Sequence, residues 1–171
     1  MSTLVVYASK HGTAKHCAEI LSSKLVGQVN LLNVREEKVP ELSQYSKIII
    51  GGSIYAGRIQ KEILEFCNKH IKELNSKKLG LYICCMIEKD ADKQLTTVFP
   101  KELLDSSIVK KNFGGEFKIK EMSFWEKLMC KMVAKMLAKE DPDLVFDMKE
   151  DLSKLSMENI DEMAKIMNTA S

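Results

Sequence analysis

The chain opens on an unbroken apolar run, Leu4, Val5, Val6 and Tyr7, closed by Ser9-Lys10-His11-Gly12. A run of that length ended by a glycine-bearing turn predicts a strand over residues 3–8 that is covered on both faces. From Thr13 the period changes, and Ala14, Cys17, Ala18, Leu21 and Leu25 recur in steps of three and four. That places one apolar stripe on a helix ending near Gly27. Residues 28–34 read as a second strand, and 47–52, with Ile48, Ile49 and Ile50 in succession, as a third. Ile63, Leu64, Cys67, Ile71 and Leu74 mark a helix over 60–75, and strand four follows over 78–85. A weaker helix is expected over 92–105, interrupted near Pro100, and a fifth strand over 108–119, broken at Gly114-Gly115.

Strands alternating with helices across short connections predict an α/β fold, a doubly wound parallel five-stranded sheet of order 2-1-3-4-5 with helices on both faces. After Glu121 the pattern changes. Trp125, Leu128, Met129, Met132, Val133, Met136 and Leu137 form an apolar stripe, while Lys127, Lys131, Lys135 and Lys139 form a column at every fourth position. This predicts an extra basic amphipathic helix over 122–139, placed before the last helix. The last helix carries Ile160, Met163, Ala164 and Met167, which would close the sandwich. No repeat interrupts the chain, and its 171 residues suit a single domain, 1–171, with one core.

Composition narrows the class: with 45% hydrophobic and 29% charged residues the chain is neither disordered nor fibrous. Its apolar runs fall far short of the ~20 residues that a spanning helix needs, and its first residues lack the basic region of a secretory signal. A cytoplasmic protein is expected. The five cysteines, Cys17, Cys67, Cys84, Cys85 and Cys130, include no CxxC pair and lie mostly in apolar stretches, so reduced, buried thiols are expected. The three histidines form no ligand-spaced cluster, and no metal site is expected. The net charge of +2 divides into +4 over residues 1–100 (14 basic, 10 acidic), +4 over 101–139 (9 and 5) and −6 over 140–171 (3 and 9). That is not the concentrated basic stripe nucleic acid needs, and aromatics for base stacking are sparse.

Chemistry gathers in the loops after the first, third and fourth strands. Ser9, Lys10, His11, Gly12, Thr13 and Ala14 join a strand to a helix N-terminus, whose unsatisfied N–H groups and positive dipole end suit an anion such as phosphate. The loop is neither a P-loop nor the dinucleotide GxGxxG. Ser53, Ile54, Tyr55, Ala56, Gly57 and Arg58 follow Gly51-Gly52 after the third strand. In a 2-1-3-4-5 sheet the loops after strands one and three flank the point where the winding reverses, the place where ligands sit. Cys85, Met86 and Ile87 follow strand four and offer backbone N–H groups and a soft apolar wall.

Ser9-Lys10-His11-Gly12-Thr13-Ala14 resembles the phosphate loop of the flavodoxins, T/S-x-T-G-x-T, in which Ser9 and Gly12 match while His11 and Ala14 stand where hydroxyl residues are usual. The resemblance covers nearly the whole chain in element order and implies FMN as cofactor, its phosphate on the first loop. Tyr55 would then lie against one face of the flavin ring and Met86 against the other. Within that superfamily the chain is similar to the bacterial menaquinone-dependent protoporphyrinogen dehydrogenases. The likeness is carried by Ile48-Ile49-Ile50-Gly51-Gly52-Ser53-Ile54 with Gly57, by Glu65-Phe66-Cys67-Asn68-Lys69-His70, and by Trp125-Glu126-Lys127-Leu128-Met129 with Lys131-Met132.

The resemblance implies an FMN-dependent oxidoreductase that oxidises protoporphyrinogen with a quinone acceptor; it identifies no catalytic proton-transfer residue. The alternative is an electron-carrier flavodoxin serving protein redox partners. Carriers of that family are strongly acidic, and this chain is not. A third reading, a regulatory domain that keeps the fold without FMN, rests on His11 and Ala14. The helix over 122–139, with Trp and Met on one face and Lys on another, suits a cover for an apolar substrate or peripheral contact with the inner face of the membrane. Packing on the sheet edge is the plain alternative.

Overall fold

A computed structural model of the chain describes residues 2–9, 12–55, 57–86, 88–117 and 152–170, together with 124, 127, 128 and 131. Lys10, His11, Ala56, Ile87, Cys130 and most of the helix expected over 122–139 lie outside the described residues. The elements run β1 (Ser2–Ala8), α1 (Thr13–Lys24), β2 (Gln28–Asn33), β3 (Lys47–Tyr55), β4 (Arg58–Ile59), α2 (Lys61–Asn75), β5 (Lys78–Cys84), α3 (Glu88–Leu95), α4 (Lys101–Ser106), β6 (Val109–Asn112), β7 (Gly114–Phe117), β8 (Leu152–Leu155) and α5 (Met157–Thr169). The main sheet has the order β2-β1-β3-β5-β6, with the two-residue β4 paired only to β3. Setting that short hairpin strand aside, this is the expected 2-1-3-4-5 order, and every pairing along it is parallel.

Parallel strands roofed by helices on both faces should be apolar at successive positions, and β1 is buried from Thr3 through Ala8. Its alternate residues face opposite cores. Leu4, Val6 and Ala8 join Ile48, Ile50, Ile63 and Cys67 on the α2 side, while Val5 and Tyr7 join Cys17, Leu21, Ile49, Met163 and Met167 on the α1 and α5 side. The four positions predicted to close the sandwich from the last helix are all buried. Lys47 is buried as well, and its Nζ donates to the carbonyls of Met167 at 2.5 Å and Asn168 at 3.5 Å, satisfying the end of α5. Cys17, Cys67, Cys84 and Cys85 are buried and in no disulfide among the described residues.

Two sequence expectations change. The interruption expected near Pro100 is present and complete: the helix expected over 92–105 is two helices, α3, which starts earlier at Glu88, and α4, with Pro100 at its N-cap, where it cannot continue a preceding turn. The strand expected over 108–119 is also two: β6 stays in the main sheet, Gly114 adopts a left-handed φ of 76°, and β7 pairs with β8 in a separate two-stranded sheet. β8 lies in a stretch whose polarity gives no strand signal. The chain divides into two compact units, Met1–Gly115 with Leu155–Ser171, and Glu116–Lys154. In the second unit Phe124, Lys127, Leu128 and Lys131 are helical, with Phe124 and Leu128 exposed. Among the described residues no helix is long and apolar enough to cross a membrane, and no group of His, Cys, Asp or Glu could hold a metal ion.

Candidate functional site

Register decides which loops meet. Ala8 stands opposite Gly52, and Ser53 stands opposite Cys84, so the chains leaving β1, β3 and β5 start side by side at the carboxyl edge of the sheet. Between β1 and β3 the winding reverses: β2 lies on one side, β5 and β6 on the other. Ser9, Gly12, Thr13, Ser53, Ile54, Tyr55, Gly57, Arg58, Cys85 and Met86 are all placed on these three connections or at their margins.

The first loop is closed by its own residues. Ser9 Oγ accepts from the Gly12 N–H at 2.8 Å, and Gly12 O accepts from the His16 N–H at 2.7 Å. Gly12 has a left-handed φ of 83° at the N-cap of α1, a conformation that a side chain would strain. No acidic residue occupies the first turn of α1, so its positive end stays uncompensated from within the helix. Thr13 and Ala14 are buried beneath the turn. From below, the fully buried Tyr82 donates its O–H to Ala14 O at 3.3 Å and stacks on Phe113, ring centroids 4.5 Å apart. Burial, with smaller contributions from Cys84, Cys17 and Tyr7, pushes the Tyr82 phenol well above its ordinary 10.0, so it stays a neutral donor.

The second loop is a hairpin that the sequence reading did not foresee: β3 runs on to Tyr55 and turns into β4, pairing Tyr55 with Arg58 and Ile54 with Ile59. Gly57 carries the turn at φ 75°, with nothing within 4 Å of where a Cβ would stand. Tyr55 is 48% exposed and Arg58 is exposed, whereas Ser53 is buried at the strand end. Behind the hairpin, Gln60 ties two loops together. Its Nε2 donates to Ala8 O at 3.0 Å, just before the first loop, and its Oε1 is buried with no hydrogen-bond partner among the described residues. Gly52 leaves the room that this side chain takes, since a Cβ there would stand 2.3 Å from the same oxygen and displace the Gln60 amide.

The third loop is held from a distance. Asn112 Oδ1 accepts from the Cys85 N–H at 3.0 Å and from the Gly114 N–H at 3.1 Å, while Asn112 Nδ2 donates to Cys85 O at 3.0 Å. Cys85 Sγ lies 3.3 Å from Gln94 Oε1. Gly115 leaves room for the half-buried Met86, whose Cγ would stand 2.4 Å from an added Cβ. Sequence reasoning missed Gln60, Tyr82 and Asn112. Gln60 had a faint signal, a polar residue just ahead of the first apolar position of a helix; Asn112, 27 residues from Cys85, had none.

Comparison with known proteins agrees with this geometry. The family model described as Flavodoxin domain matches residues 4–144, well over half the chain. The protoporphyrinogen IX dehydrogenase (quinone) of Escherichia coli strain K12 is 25% identical over 145 residues, which cover 80% of this chain and 80% of that protein. Among solved structures, a flavodoxin from the domain Archaea aligns with a TM-score of 0.50 at 18% identity, covering 82% of this chain and 98% of its own. A short-chain flavodoxin associated with a PDU bacterial microcompartment aligns with a TM-score of 0.50 at 18% identity, covering 67% and 84%. These two likenesses bear on the fold.

Proposed function

The chain belongs to the flavodoxin domain family, and from that premise we propose that this flavoprotein oxidoreductase, with FMN as cofactor, passes electrons from a protoporphyrinogen to a quinone. The observation that carries the flavin half of the reading is the meeting of three specialised loops where the winding reverses. Their chemistry fits FMN. The first turn of α1, free of acidic side chains and opened by a left-handed glycine, suits a phosphate. The buried Oε1 of Gln60, without a partner among the described residues, is an acceptor suited to a hydroxyl donor. The exposed Tyr55 ring suits stacking, worth ~0.5–1.5 kcal/mol beyond area burial.

Ser9, Lys10, His11, Gly12, Thr13 and Ala14 would hold the phosphate; Ser53, Ile54, Tyr55, Ala56, Gly57 and Arg58 would line one side of the ring, and Cys85, Met86 and Ile87 the other. Bound FMN would supply the one- and two-electron chemistry that no side chain offers. The protein's part is to bind and orient it, to exclude water with Tyr55 and Met86, and to place Arg58, Lys10 and His11 where they favour added negative charge. The substrate half rests on the Escherichia coli relative and on the net charge of +2, which gives a carrier no acidic surface with which to meet basic partners. We propose that residues 1–171 act as one flavodoxin-like domain and that the helix over 122–139 is the element that admits a large planar substrate, its lysine column meeting carboxylates or anionic headgroups at the inner face of the cytoplasmic membrane.

The test is an absorption spectrum and FMN titration of the purified protein, then turnover of protoporphyrinogen with a quinone. Deleting residues 123–139 should leave FMN bound and reducible by dithionite while abolishing turnover. A parent protein that binds FMN and uses neither compound would leave the carrier reading in its place.

A further inference from the structure

We propose that Asn112 is a positioning residue for the third loop, fixing the Cys85 backbone in the course the loop needs to hold the cofactor; the proposal rests on the flavin-site reading above. Asn112 is the last residue of β6 and stands opposite Ile83 in the parallel ladder with β5, whose carbonyl accepts from the Phe113 N–H at 2.8 Å. There β5 ends and β6 turns away at Gly114. The Asn112 carboxamide continues the pairing where the backbone stops. It takes both main-chain groups of Cys85, the N–H on Oδ1 at 3.0 Å and the carbonyl on Nδ2 at 3.0 Å. A second donor, the Gly114 N–H, fills the other acceptor site of the same oxygen at 3.1 Å. The residue itself is held by Asn159, whose Nδ2 donates to Asn112 O at 2.8 Å.

A two-point clamp on one residue fixes the two peptides that flank it, and with them the direction in which the chain sets out from Cys85 toward Met86. Gly115, which leaves room for the Met86 side chain, belongs to the same arrangement. No other side chain can reproduce the clamp. Aspartate keeps the oxygen that receives two N–H groups but turns a second oxygen toward the Cys85 carbonyl and adds a negative charge. Alanine removes all three bonds. Glutamine is longer by one methylene and cannot hold the same register. A residue that merely closed the end of β6 would change the melting temperature when mutated and leave the cofactor untouched, which is where the two roles part.

The experiment measures FMN affinity and two-electron midpoint potential on the purified holoprotein, its Asn112→Asp and Asn112→Ala variants, and Asn159→Ala as a control that keeps the carboxamide. Asn112→Ala should weaken oxidised and reduced FMN alike, by about tenfold. Asn112→Asp should weaken reduced FMN about tenfold more than oxidised FMN, because its charge opposes the charge gained on reduction, a downward shift of about 30 mV for a two-electron couple. Asn159→Ala should lower the melting temperature and leave the potential where it was. Should Asn112→Ala fail to fold, Asn112→Asp, which keeps its volume and two accepted bonds, decides alone. Affinities and potential within twofold of the parent in the Asn112 variants would overturn the proposal while leaving the flavin reading intact. A parent that takes up no FMN would overturn the flavin reading first and this proposal with it.

Discussion

The first and third loops do neighbouring work at the same sheet edge and are built on opposite principles. The first closes on itself: Ser9 Oγ meets the Gly12 N–H three residues on, and Gly12 O meets the His16 N–H four residues on. The third has its backbone held by a side chain 27 residues away, on the next strand of the sheet. A locally closed loop depends little on the rest of the fold for its shape, whereas the third takes shape only once β5 and β6 lie side by side. The difference follows from the chain's geometry. The first loop leads straight into a twelve-residue helix, whose open N-terminal turn supplies both closure and electrostatics. The third leads toward α3, a shorter and strongly polar helix, and borrows its order from β6.

The comparison breaks most sharply at Thr13. Thr13→Asp sets a carboxylate at the first position of α1, where the helix dipole favours an acid and offsets part of the cost of placing a charge at a buried position. Against a bound phosphate the same charge repels: two unit charges 4 Å apart at an effective dielectric of 20 interact by about 4 kcal/mol, which corresponds to roughly a thousandfold loss of FMN affinity. Fluorescence titration of the apoprotein checks it. Unchanged affinity with an unchanged melting temperature would remove the phosphate from the first loop.

Alkali should separate the two loops next, because the support beneath the first contains buried ionisable groups. Tyr82 and Tyr7 are both pushed up, chiefly by burial, and Cys67 on the opposite face of the sheet is pushed up from 9.0 to about 12 by burial alone. All three are neutral acids whose folded values exceed the unfolded ones. Their contribution is therefore complete below the unfolded values, near pH 9 for Cys67 and near pH 10 for the tyrosines, and is lost as pH rises toward the folded ones. Each group removes up to about 1.4 kcal/mol per pH unit inside its window. Urea titrations at pH 8 and pH 10.5 should show this loss, and Cys67→Ala should flatten the part that starts near pH 9. Equal stability at the two pH values would mean that water reaches these groups. Tyr82→Phe, which keeps the stacking on Phe113 and removes the bond to Ala14 O, should lessen the loss above pH 10.

The same contrast explains what the sequence could reveal. Successive apolar residues from Leu4 to Tyr7 and from Ile48 to Ile50, the helical stripe of α1 and the stripe Ile160, Met163, Ala164 and Met167 are signals of period and burial, and each led to an element of the fold. Ser9 and Gly12 were legible because the closure they make lies within four residues. The β3–β4 hairpin was not, since strand periodicity over two residues is no signal and Tyr55 and Arg58 are as plausible in a loop as in a ladder. Gln60 and Asn112 act across the fold through side-chain amides, and their roles depend on register, which only the assembled sheet defines. The break at Gly114-Gly115 was legible, but a glycine pair interrupts a pattern without saying that the chain beyond it joins a second sheet.

The smallest expected effect lies at Ser9. Ser9→Ala removes the acceptor of the Gly12 N–H, a part-buried group, and a lost hydrogen bond of this kind costs about 1 kcal/mol. For a chain of this size that is a fall of about 2–4 °C in melting temperature. Because the bond spans only three residues, the turn retains its left-handed glycine and the Gly12 O to His16 N–H bond, and water can replace the lost hydroxyl. The effect on FMN should therefore be well under that of Thr13→Asp, within about tenfold, and without redox discrimination, since the helix terminus that faces the phosphate is unchanged. A Ser9→Ala protein that loses FMN as completely as Thr13→Asp would show that the first loop, too, depends on a single side-chain clamp, and the distinction between the two loops would then be one of span alone.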